Sequence, residues 1–140
     1  MAENRIPLLL KVALVSTIIV ALVYGLVLLF IPQFMVKLSG TFPVDSGVYQ
    51  WQGGILTALG IGTLMVLRKP KNQGIFVTTA ALAMLLAGLA MLYSLITFKY
   101  ENYENANVWV DALPTILLLL ISTLLWWGRQ KAKDILKSDS

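Results

Sequence analysis

The chain has 140 residues, of which 58% are hydrophobic and 13% charged, with a mean hydropathy of +0.78. A soluble domain carries roughly a quarter charged residues, so this composition excludes an ordinary soluble fold and points to a membrane protein. The absence of Cys and His excludes thiol redox chemistry, thiolate clusters, histidine-ligated haem and histidine acid–base catalysis.

A hydrocarbon core about 30 Å thick takes about 20 apolar residues per helix, so four spans and short loops nearly fill the chain. The expected architecture is therefore all-α: a single four-helix transmembrane domain with no separate soluble catalytic unit. The first apolar run, residues 12–31, exceeds the roughly 7–15 residues of a secretory h-region and no small-x-small cleavage pattern follows it, so it reads as an uncleaved helix. Pro32 ends it, because the ring removes a backbone donor and pushes its predecessor out of helical geometry. Residues 32–39, with Phe34, Met35 and Leu38 around Lys37, read as a short interfacial helix, followed by a turn through Gly40, Pro43 and Gly47.

The second span is expected at 50–67. Within it Gly54, Ala58 and Gly62 recur every four residues and leave a groove where another backbone can approach. After the basic turn from Arg68 to Gln73, the third span, 74–98, answers with Ala80, Ala83, Ala87 and Ala90. The pattern predicts a second–third helix hairpin at the centre of the bundle, and an equivalent surface could serve self-association or another membrane subunit. The loop that follows repeats Tyr-Glu-Asn at 100–102 and 103–105; without metal-ligand spacing it reads as a solvated loop, and no metal site is expected.

The fourth span is expected at 108–127, with a basic tail at 128–140. Arg5, Lys11, Arg68, Lys69, Lys71, Arg129, Lys131, Lys133 and Lys137 fall on one side, against Lys37 and Lys99 on the other. Lys and Arg in short loops are retained in the cytoplasm, which puts both termini there, in a multi-pass protein of the plasma membrane. Orientation also accounts for the net charge of +4 without nucleic acid, and the tail is placed to meet anionic lipid. Trp126 and Trp127 mark the inner interface; Trp51, Trp109, Tyr49, Tyr100 and Tyr103 mark the outer one. Lys11 enters the apolar stretch by about one turn and can snorkel back.

Asp111 is the acid at membrane depth, where an ionisable group raises a functional hypothesis by default. It reads either as an N-cap or first-turn carboxylate before Pro114 or as part of a site. At 100° per residue Asp111, Thr115 and Ser122 lie within about 40° of one another. Tyr24, Gln50, Gln52, Thr57, Tyr93 and Thr97 belong to the same outer half. Together with Asp111 and Thr115 they are candidates to line a pocket for a lipid headgroup, a quinone or a small polar solute; the alternative is that they bond between helices.

The first helix carries Tyr24-Gly25-Leu26 and Phe30-Ile31-Pro32, the amphipathic stretch closes on Leu38-Ser39-Gly40, and Gln52-Gly53-Gly54 opens a helix with Ala58-Leu59-Gly60. In these features, its basic turn and its Ala-rich third helix, the chain resembles the DoxX-like group of small four-helix membrane proteins over about its first hundred residues. The resemblance implies a four-helix bundle and, for some relatives, a small subunit associated with quinone-linked membrane oxidoreductases. Members often carry an Arg before the glycine pair, where this chain has Gln50 and Gln52. Sterol-isomerase-like bundles use deep His residues, which are absent here. The expected function is a non-catalytic accessory or structural subunit of a membrane complex, with lipid or quinone as its bound molecule. The competing reading is a small enzyme or carrier for a lipophilic substrate, with Asp111 as proton acceptor and Gln50, Gln52 and Tyr93 as hydrogen-bonding groups.

Overall fold

The computed structural model describes residues 6–40 and 46–137, all helical or loop, with no strand among them. Arg5, Pro43 and the last three residues of the basic tail lie outside the described residues. Four long helices, α1 (Leu8–Phe30), α3 (Ser46–Arg68), α4 (Gly74–Thr97) and α5 (Trp109–Lys131), are accompanied by two short ones, α2 (Pro32–Ser39) and α6 (Lys133–Leu136). α1 stops where Ile31 leaves helical geometry, at φ −131° and ψ 51°. Pro32 then opens α2, where its missing N–H is one the helix would not have used. Gly40 closes α2 in the left-handed region, at φ +62°. A Cβ on it would collide with the Asn105 carbonyl oxygen, so no side chain fits. At the other end of the molecule Asn72, at φ 63°, turns the chain between α3 and α4, a conformation Asn tolerates through local hydrogen bonding.

Three helices, α1, α4 and α5, are long and apolar enough to cross a membrane. The sequence pattern led us to expect four. α3 has the same 23-residue length as α1, but Gln50, Gln52 and its glycines dilute its apolar content. α5 runs on to Lys131, past the Trp pair, so the tail begins as helix and folds back through α6.

The helices pack antiparallel in the order α3–α1–α5–α4. The centre is therefore the α1/α5 pair and not the expected hairpin of α3 and α4, which share few contacts. α1 and α3 cross at Gly25 and Gly53. A Cβ on Gly53 would stand 2.5 Å from the Leu29 amide nitrogen and 2.7 Å from the Gly25 carbonyl oxygen, and one on Gly25 would be 2.7 Å from the Thr57 amide nitrogen. The neighbouring Gly54 meets nothing within 4 Å, and Ala58 is exposed. Of the expected small-residue faces, Gly62 takes the Phe76 ring of α4 and Ala80 is buried, while Ala83, Ala87 and Ala90 are exposed. The reason is rotational: one residue is 100° on a helix, and α3 turns Gly53, not Gly54, to its partner. Between α1 and α5 the contact is again close, with Leu10 Cα 2.8 Å from where a Gly128 Cβ would sit. Leu14, Ala21, Val66, Val77, Met84, Ile121 and Leu125 fill the core around it.

These distances predict opposite outcomes for adjacent glycines. Gly53→Ala forces backbone against backbone and should cost about 1–3 kcal/mol, seen as a lower melting temperature in detergent, whereas Gly54→Ala should leave melting unchanged.

Candidate functional site

The end of the molecule that carries the α4–α5 loop is held by a small polar cluster. Asp111 lies in the first turn of α5, inside the helix and not at its N-cap, which is Val108. There the carboxylate sits at the positive end of the helix dipole, and its Oδ2 accepts a 2.6 Å hydrogen bond from the Tyr100 hydroxyl. Such short O–H···O contacts to a carboxylate belong to the charge-assisted class. Burial is the larger influence on Tyr100 and the bond to Asp111 the next; both disfavour the phenolate, so its pKa is raised. The repeated Tyr-Glu-Asn gives Tyr100 its place. The Phe98 ring meets Tyr100 edge-on at 4.7 Å and stacks on Tyr103 at 5.5 Å, so the two tyrosines of the repeat clasp one phenylalanine.

The same cluster ties down α2. The Asn107 amide donates to the Ser39 carbonyl at 2.9 Å, and Tyr49 of α3 is hydrogen-bonded with Ser39 within reach of the Asp111 charge. Asn107 Oδ1 accepts from the Trp109 amide at 3.2 Å at the start of α5. Below this cap, Val23, Tyr24 and Val27 of α1, Phe34, Met35 and Leu38 of α2, and Trp109, Val110 and Leu113 of α5 line an apolar groove of about 350 Å³, with Asn107 at its rim.

Of the residues expected to line one pocket, Tyr24 lies in this groove, and Asp111 lies in the cap above it. Thr115 is buried below Asp111 and spends its hydroxyl on the Asp111 carbonyl, at 2.6 Å. Thr57 donates to the Gly53 carbonyl at 2.8 Å and Thr97 to the Tyr93 carbonyl at 2.8 Å, each within its own helix. Gln50 and Gln52 are exposed on α3, and Tyr93 is 71% exposed on α4. The structure thus puts Tyr24 in the groove and Asp111 in the cap, and Gln50, Gln52, Thr57, Tyr93 and Thr97 are not in the lining of the groove. Ser122 does bond between helices, donating to the Ala81 carbonyl of α4 at 2.9 Å. The bond between Asn107 and Ser39 is not legible in the sequence, since it joins backbone groups far apart in the chain. The Tyr repeat was the one visible signal for Tyr100.

No group of three or more metal-ligating side chains occurs among the described residues. Comparison with protein-family models, curated proteins and solved structures returns no match.

The raised Tyr100 pKa has a defined sign. An unfolded tyrosine releases its proton near pH ~10, while folded Tyr100 holds it longer, so its contribution is complete below that pH and declines as pH rises further. In a tyrosinate absorbance titration, Tyr100→Phe should remove one late-ionising tyrosine, and Asp111→Asn should shift that ionisation downward. The wild type should also lose more stability than Tyr100→Phe above pH ~10.

Proposed function

We propose that this chain is a non-catalytic accessory or structural subunit of a larger membrane complex, multi-pass in the plasma membrane, with α1, α3, α4 and α5 as four spans and both termini in the cytoplasm. The observation that carries this reading is the state of α4. Ala83, Ala87, Ala90 and Ser94 lie within about 60° of Phe76 around the helix, the face that meets α3 at Gly62, yet beyond Phe76 all four are exposed. Without a hydrophobic drive between helices in lipid, association relies on close packing over small residues, and this face offers it. The positive-inside count supports the orientation, and the 23-residue length of α3 supports its crossing in company with α1.

The resemblance to the DoxX-like group agrees with this role, and the apolar groove beside Tyr24 is where the reading places a bound lipid or quinone. Its low end of ligand-pocket size suits part of such a molecule, a tail segment or a ring, with Tyr24 and Asn107 as its polar neighbours. The hydroxyls of Thr57, Thr97 and Thr115, already donated to their own helices, argue for structure over chemistry at those positions.

Two measurements test this. The chain lacks Cys, so single-cysteine labelling reads topology directly: Val48→Cys and Lys71→Cys should react from opposite sides of the membrane, and labelling from one side would show that α3 does not cross. A photo-crosslinker at Ala87 should capture a defined membrane protein in native membranes while one at Ile19 does not; equal or absent capture at the two positions would count against the subunit role.

A further inference from the structure

The end of the molecule opposite the Tyr100–Asp111 cap carries a second depression, of about 360 Å³, lined by Gly74 of α4, Arg129 of α5, and Lys133, Leu136 and Lys137. Three cations at four-residue intervals thus converge on the first residue of a 24-residue helix. No carboxylate lines the depression among the described residues; Asp134, the acid of α6, is exposed.

Two further features bear on what this place can hold. The Nε of Arg129 is buried and has no hydrogen-bond partner, a costly state for a charged donor. The guanidinium is held over the Trp126 ring, with its carbon 5.8 Å from the ring centroid, within cation–π reach, so the side chain is positioned. The N-terminus of α4 is open as well: Gln73, at its N-cap, makes no side-chain cap bond. Its first-turn amides are donors without partners inside the helix, at the positive end of the dipole. Gly74 is held against α6, with the Leu136 carbonyl oxygen 2.8 Å from where a Cβ would stand. That contact keeps Lys133 and Lys137 at the rim.

We propose that this depression binds a phosphate group, with the Arg129 guanidinium and the α4 amides donating to its oxygens and Lys133 and Lys137 supplying charge. The donor set fits an anionic oxygen cluster, and that chemistry is shared by the headgroup of an acidic phospholipid and by free phosphate. The site is independent of the subunit reading, since it uses neither the exposed face of α4 nor the outer groove.

The test is native mass spectrometry of the full chain with phosphatidylglycerol, with diacylglycerol of the same acyl chains, and with inorganic phosphate as competitor. One phosphatidylglycerol per chain should be retained in preference to diacylglycerol. Arg129→Gln should weaken retention at least about tenfold, and Arg129→Lys, which keeps the charge and removes the planar donor, should also weaken it. Lys133→Gln and Lys137→Gln, both at exposed positions that leave the core intact, should each weaken it about fivefold, while Lys99→Gln should not. Retention that resists inorganic phosphate supports the site with a lipid as its source; displacement by inorganic phosphate supports the site with soluble phosphate as its source. Equal retention of the two lipids without any effect of phosphate, or retention unchanged in the Lys133→Gln/Lys137→Gln double variant, would overturn the proposal.

Discussion

Backbone contact between α1 and α3 at Gly25 and Gly53 is the constraint on which the arrangement turns. With no side chain between them the two helices approach until the backbone of one occupies the place a side chain of the other would take, and dispersion replaces the hydrophobic drive that lipid cannot supply. Fixing α3 on this face of α1 leaves the adjoining face for α5, which closes on it through Gly128 and Leu10. α4 then has α5 as its main partner, and the row α3–α1–α5–α4 follows.

The two ends of this row solve their polar problems differently. At the end that carries the α4–α5 loop the groups satisfy each other: Tyr100 with Asp111, Asn107 with Ser39 and Trp109. The cap therefore behaves as a strut between a loop, α2 and α5. At the other end Arg129 is oriented but its Nε is unpaired, and α4 begins without a side-chain cap. A self-satisfied cluster is suited to holding shape, and an unsatisfied one to receiving something.

Much of the helical framework is legible from hydropathy and punctuation. Pro32 and Gly40 bracket α2, and Asn72 sits in the turn before α4, because each residue answers a local backbone requirement. Partner choice is not legible in this way. Gly53 and Gly54 are indistinguishable in composition, yet they point 100° apart, and which of them faces α1 depends on how α1 presents Gly25. The threonine hydroxyls follow a local rule as well. At membrane depth a hydroxyl draws attention as a possible ligand group, but its nearest acceptor is the carbonyl one turn back in its own helix, and Thr17, Thr57, Thr63 and Thr115 all take that option. Asp111 sits between these cases: its place in the first turn follows from helix length, while its bond to Tyr100 depends on the loop fold.

The spatial order of the helices also bears on biogenesis. α1 and α3 are successive long segments, as are α4 and α5, so each antiparallel pair can form from neighbours in sequence as the chain emerges, N-terminal part first. The α1/α5 seam joins the two finished hairpins and is the interface that must wait for the last long helix. Gly128 lies near the end of that helix, which makes closure of the seam a late event in assembly, after both hairpins have been made.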